Sequence, residues 1–140
     1  MQITIDISDE QIRNLLGNAF EGGVGYWCKI DHYEGGPHQK VMSYGSHECV
    51  WPHYCYLPLE ANGKIICIDC TGEKGSPPEP WVLDREAIER GLKLLLTNRT
   101  AKGETINPIH SASFIGDETD SETGDVFLQL CLFGDKIKKG

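Results

Sequence analysis

One junction limits the fold of this chain more than any other: a helix pattern stops at Glu21-Gly22-Gly23 and passes at once into Val24-Gly25-Tyr26-Trp27-Cys28. Ile12, Leu15, Leu16, Ala19 and Phe20 recur at i, i+3, i+4 spacing and mark one apolar helix face. Ser8 stands three residues before Gln11, a capping-box spacing that starts this helix. The two adjacent glycines read as a Schellman-type stop. From Val24 to about Tyr33 the chain reads as a strand, ended by Glu34-Gly35-Gly36-Pro37. Glycine permits positive φ and close backbone approach, and Tyr and Trp offer flat, half-polar faces. A shaped binding surface is one reading of the junction; a helix cap followed by core aromatics is the plainer one.

The remaining pattern predicts an α+β chain. Ile3, Ile5 and Ile7 alternate with polar residues as an opening strand. A short strand is expected around Lys40 to Ser43. Tyr54 to Leu59 and Lys64 to Thr71 read as a β-hairpin across Ala61-Asn62-Gly63, since Asn-Gly favours tight turns. Gly75 to Pro80 is a stiff loop, with Trp81 as a further aromatic surface at its end. Asp84 is an N-cap for a helix over Arg85 to Leu96, with Leu83 and Ile88 as a hydrophobic staple and Arg85–Glu89, Glu86–Arg90 and Glu89–Lys93 as charge pairs. Thr100 to Ile115 reads as a loop or edge strand. A last helix runs from about Ser121 to Phe133, capped by Asp120 or Thr123 and ended by Gly134. Its apolar surface, Val126, Phe127, Leu130, Cys131 and Phe133, is wider than one stripe, so burial on two sides or a homo-oligomer is expected. Together these elements predict a single domain over 1–140, with an antiparallel sheet of four to six strands and three helices packed mainly on one side.

Composition narrows the function classes. The 140 residues are 39% hydrophobic and 24% charged, which suits one ordinary core. Net charge is 13 − 21 = −8, without the basic face that a general nucleic-acid binder needs. No apolar run reaches about 18 residues, so no membrane span is expected. Met1 to Asp6 lacks a basic leader segment, so a cytosolic protein is expected, and its six cysteines read as thiols or metal ligands before disulfides. His47, Cys49, His53, Cys55, Cys67 and Cys70 have zinc-ligand chemistry. Cys67 and Cys70, however, lie in a strand pattern between core-like isoleucines, so thiols are favoured and neither metal nor cofactor is expected. The acids from Asp117 to Asp125 fail the EF-hand pattern, which needs Gly where Glu122 stands. Gly23-x-Gly25 ends a helix where a phosphate cradle begins one. Aromatic faces with Arg nearby would hold a purine nucleotide by stacking and charge.

Three segments resemble a family of small uncharacterised proteins of bacteriophages and prophages: Phe20 to Cys28, Asp84 to Gly91, and Thr123 to Gly134. Gly124, where Ala is usual, and the basic tail Ile137-Lys138-Lys139-Gly140 depart from the pattern. The resemblance brings no established activity. It implies an accessory protein in the cytoplasm of the infected bacterial host. In that setting the leading expectation is a non-enzymatic binding protein that counters host defence by sequestering a nucleotide-derived signal. Glu21, Gly22, Gly23, Tyr26 and Trp27 would line the pocket, with Arg85, His110 and Asp120 as polar contacts. The alternatives are a protein-interaction inhibitor of a host factor and a small nucleotide-cleaving hydrolase.

Overall fold

In the computed structural model, residues 6–35, 40–44, 47–51, 54–71 and 79–135 are described, the stretches 40–44 and 47–51 by backbone alone. The Ser8 hydroxyl accepts the Gln11 N–H at 3.1 Å, and Gln11 Oε1 accepts the Ser8 N–H at 2.9 Å. This reciprocal cap starts α1 (Asp9–Asn18), which buries Ile12, Leu15 and Leu16. The end of the helix differs from the expected glycine stop. The chain widens into one π-helical turn, Ala19–Gly23, closed by the Val24 N–H donating to Ala19 O at 2.9 Å. Neither Gly22 nor Gly23 takes a positive φ. What Gly23 supplies is proximity: a Cβ there would lie 2.2 Å from the backbone oxygen of Ser121.

A tight turn follows, in which the N–H groups of Trp27 and Cys28 both donate to Val24 O at 2.9 Å. Strand β1 (Cys28–Glu34) therefore begins four residues later than the pattern predicts. β2 (Lys40–Tyr44) and β3 (His47–Trp51) form a separate antiparallel pair. A 3₁₀ helix, Tyr54–Leu59, then leads to β4 (Lys64–Asp69) and β5 (Trp81–Leu83). The main sheet is antiparallel with order β1-β4-β5, Ile30 facing Cys67 and Cys67 facing Trp81 across it.

This corrects the expected single sheet of four to six strands with three helices. Among the described residues the sheet has three strands, with β2 and β3 apart from it. Tyr54–Leu59 carries Pro58, which has no N–H to give a sheet ladder, and it coils instead of pairing. The Asn62 turn does form, with φ 62°, but it joins that coil to β4. The described residues also hold four α-helices rather than three, besides the π and 3₁₀ turns. The fourth, α3 (Ile109–Ile115), occupies the stretch that reads as loop or edge strand. Its buried side is His110, Ser111 and Phe114, two of them polar, so the helical period does not show as hydrophobicity. The opening strand over Ile3 to Ile7 falls mostly outside the described residues, as does most of the loop over Gly75 to Pro80.

α2 (Arg85–Thr97) and α4 (Ser121–Phe133) match their sequence signals. Asp84 and Asp120 each cap through Oδ1, accepting from Ala87 N–H and Thr123 N–H at 2.9 Å. Leu83 and Ile88, the expected staple, are both buried. Arg85 meets Glu89 at 3.4 Å on the surface, whereas Arg90 leaves Glu86 and donates to Cys131 O on α4. α4 is the axis of the fold: every residue from Thr123 to Cys131 is buried, and α1, the π turn, α2, α3 and β5 surround it. The breadth of its apolar surface is thus covered within the chain. Facing the π turn, a Cβ at Gly124 would lie 2.5 Å from the backbone nitrogen of Ala19. Gly23 and Gly124 thereby let two backbones touch. No helix among the described residues is long and apolar enough to cross a membrane.

Gly23→Ala is expected to lower stability by about 1–3 kcal/mol, the usual cost of overpacking. Gly25→Ala, with nothing within 4 Å of its Cβ, is expected to stay within about 0.5 kcal/mol of the parent. Urea denaturation of both variants checks this; equal losses would contradict the close-approach role of Gly23.

Candidate functional site

Asp125 lies one turn into α4 and is 9% exposed. A carboxylate so far out of water needs donors, and three converge on it. Oδ2 accepts the Tyr26 hydroxyl at 2.6 Å. Oδ1 accepts Trp27 Nε1–H at 2.8 Å and Gln129 Nε2–H at 3.0 Å. Burial, and next the bond to Asp125, push the Tyr26 ionisation up, so its hydroxyl stays a donor. Trp27 is 1% exposed, with its ring centroid 5.6 Å from those of Trp81 and Phe133. The segments Phe20 to Cys28 and Thr123 to Gly134 are therefore the two halves of one contact.

Anchoring Tyr26 and Trp27 fixes where β1 leaves the π turn, and an open groove of about 530 Å³ lies along that departure. Phe20, Lys29, Ile30, Tyr33, Tyr54 and Cys70 line it. Tyr54 stands between the other two rings, its centroid 6.3 Å from Phe20 and 6.1 Å from Tyr33, both pairs tilted. Tyr33 is 45% exposed, so a ring face is open to solvent. The Tyr54 hydroxyl donates to Glu21 Oε1 at 3.3 Å at the rim. Burial raises the ionisation of both tyrosines. Beyond Glu21 a second, polar cleft of about 260 Å³ opens beside α1.

Three of the buried thiols are held neutral. Cys28, at the edge of the groove, is pushed up by its hydrogen bond with Cys67 and then by burial. Burial moves Cys55 up to about 12 and raises Cys131 as well. Nucleophilic chemistry needs the thiolate, which these three do not supply near neutrality. Of the zinc-ligand candidates, Cys55 and Cys67 are buried, Cys70 is half-buried with Sγ 3.4 Å from Gly25 O, and the side chains of His47, Cys49 and His53 lie outside the described residues. Among the described residues no three His, Cys, Asp or Glu side chains gather as a metal site would need.

The expected ligand contacts do not share one cavity. Gly22, Gly23, Tyr26, His110 and Asp120 gather around the first turn of α4: the glycines against Ser121, Tyr26 on Asp125, and buried His110 with Nδ1 2.8 Å from Thr123 Oγ1. Asp120 is the helix cap, and the backbone hydrogen bond from Thr123 holds it below the usual carboxylate range. The Trp27 ring faces the core. Arg85 is elsewhere, donating to Leu59 O at 3.0 Å. Glu21 alone of the set reaches the aromatic groove, through Tyr54. Sequence reasoning missed Asp125 and Gln129, although two polar residues at i, i+4 inside an apolar helix were the available signal. It also missed Tyr33 and Tyr54, which only the tertiary fold brings together.

Set against known proteins, the chain matches no family model, no curated protein and no solved structure.

Asp125→Ala leaves three donors without their acceptor and is expected to lower stability by about 3 kcal/mol or more. Tyr26→Phe removes one bond to a charged acceptor and should lose about 1.5 kcal/mol. Denaturant unfolding followed by tryptophan fluorescence measures both; losses under about 0.5 kcal/mol in each would contradict the anchoring role of the carboxylate.

Proposed function

We propose that the chain is a non-enzymatic binding protein that holds a planar, nucleotide-derived molecule in the groove between the π turn and β1. The observation that carries this is the set of three rings, Phe20, Tyr33 and Tyr54, grouped around an open cavity of about 530 Å³. Every nucleobase has a π face, and aromatic side chains stack on it with little demand on its identity. The neutral state of Cys28 favours holding the ligand over cleaving it. In the phage setting that the resemblance implies, the role is to sequester a nucleotide-derived signal of host defence.

A protein-interaction inhibitor is the second reading, favoured by the other face of the sheet. There a depression of about 440 Å³ carries Ile66, Ile68 and Val82 beside Asp31, His32 and Glu34. A β-bulge between Ile30 and His32 leaves Asp31 without a partner on β4. The His32 ring nitrogens lie 2.6 Å from Asp31 Oδ2 and 2.7 Å from Glu34 Oε2, and the hydrogen bonds to Asp31 and Glu34 push its ionisation up. Val82, 43% exposed, gives this face an apolar spot for a partner protein.

Adenosine 5′-monophosphate and cyclic dinucleotides, tested by calorimetry, are the probes that decide between the readings. At least one is expected to bind and, after heat release, to be recovered intact. Tyr33→Ala should weaken that binding by roughly five- to 150-fold, the equivalent of about 1–3 kcal/mol of stacking per base, and Tyr33→Phe should restore it. No binding by any probe would turn the function toward the sheet face, and recovery of a cleaved product would make the protein an enzyme.

A further inference from the structure

The aromatic groove ends at the Tyr54–Glu21 hydrogen bond, and on the far side of Glu21 lies the polar cleft of about 260 Å³. Liquid water occupies about 30 Å³ per molecule, so the cleft has the space of roughly nine waters, enough for one sugar ring. Its walls come from two places. One is the side of α1 that carries Arg13, Asn14 and Asn18, with Glu21 from the π turn above it. The other is the loop after α3, with Asp117 and Thr119. Asn18 ties the walls together: its Nδ2 donates to Thr119 O at 3.0 Å and to Thr119 Oγ1 at 2.8 Å. The floor is Gly17, where an added Cβ would come no nearer than 4.0 Å to its closest neighbour, Glu21 Oε2. Arg13 Nη1 donates to Asn14 Oδ1 at 2.7 Å, which lays the guanidinium along the wall.

The chemistry of these side chains selects among ligands. A phosphate would meet two carboxylates, Glu21 and Asp117, against a single guanidinium. A simple cation would meet that guanidinium. An apolar group would bury amide and carboxylate oxygens without partners. A neutral polyol avoids all three conflicts. Adjacent hydroxyls donate to a carboxylate, as the acidic residue of a dinucleotide-binding fold accepts from a ribose, and their oxygens accept from amide and guanidinium N–H groups. Planar polar side chains beside an aromatic wall therefore match a sugar attached to a flat ring.

We infer that the cleft is a polyol subsite that takes the vicinal diol of the ligand's ribose, with Asp117 as the acceptor that determines specificity. The inference rests on the aromatic groove taking the base. Glu21 is the divide between base and sugar, so a nucleoside spans both cavities across it. Asp117 has φ 55°, a left-handed conformation that Asn tolerates, so Asp117→Asn changes the acceptor and keeps the backbone.

Two-dimensional NMR of the full chain titrated with adenosine, 2′,3′-dideoxyadenosine and D-ribose separates the two levels. Adenosine is expected to shift ring signals of Tyr33 together with the side-chain amide of Asn14 and the backbone amide of Thr119. Dideoxyadenosine should shift the Tyr33 signals alone and bind at least fivefold more weakly. Asp117→Asn should bring adenosine down to the dideoxy level while leaving dideoxyadenosine unchanged. Equal affinity for the two nucleosides, with Asn14 and Thr119 unmoved, would overturn the polyol subsite and leave the groove reading standing. If neither nucleoside moves Tyr33, the groove reading falls, and D-ribose decides the cleft. Saturable shifts at Asn14 and Thr119 that Asp117→Asn abolishes would support a polyol site, and their absence would remove it.

Discussion

A single buried carboxylate holds this fold in register. Asp125 sits on the central helix and receives donors from a phenol, an indole and an amide. A carboxylate there without those donors would carry the full penalty of desolvation, and the donors without it would carry theirs. The contact therefore forms as a unit, and it joins residues about a hundred positions apart. The N-terminal unit of α1 and the π turn is thereby locked against α4, and the departure of β1 is set. The packing around it is built to match. Gly23 and Gly124 remove the side chains that would hold the two backbones apart, and Trp27, tied at its nitrogen, packs in the core against Trp81 and Phe133, which also meet each other.

Local signals in the sequence were legible where one element settles its own boundaries. The Ser8–Gln11 box, the Asp84 cap with its Leu83–Ile88 staple, and the Asp120 cap with Gly134 at the far end all act within a turn of the helix they bound. The signals that failed depend on what lies across the fold. The glycine pair after Glu21 looks like a helix stop, but its purpose is a backbone contact with residues 121–125, which no local pattern reveals. Tyr54–Leu59 has strand-like composition, yet Pro58 and the prior pairing of β4 with β1 and β5 leave it no ladder to join. α3 hides because His110 and Ser111 point inward and find polar partners in Thr123 and Asn98. The broad apolar surface of α4 allowed burial on two sides or a subunit contact, and the elements packed around it within the chain accord with the first.

For the site, the sequence singled out the junction, and the structure shows which of its groups are already committed. Tyr26 and Trp27 are the conspicuous aromatics, but their polar atoms are committed to Asp125 and the indole lies inside. The rings that line an open cavity are Phe20, Tyr33 and Tyr54, which come from three different elements. Structure and recognition are linked through the same junction. The carboxylate that holds Tyr26 and Trp27 also sets the start of β1, and with it the position of Tyr33 across from Tyr54. The proposed base site is thus a consequence of the clasp.

Hydrogen exchange of the Trp27 indole N–H, followed by NMR in the native protein, tests the clasp most directly. The indole is 1% exposed and bonded to Asp125, so its proton is expected to exchange only as slowly as the most protected backbone amides of α4, through global unfolding. Exchange at the rate of a solvent-exposed indole while the α4 amides stay protected would contradict the claim that Asp125 holds the two halves of the molecule together.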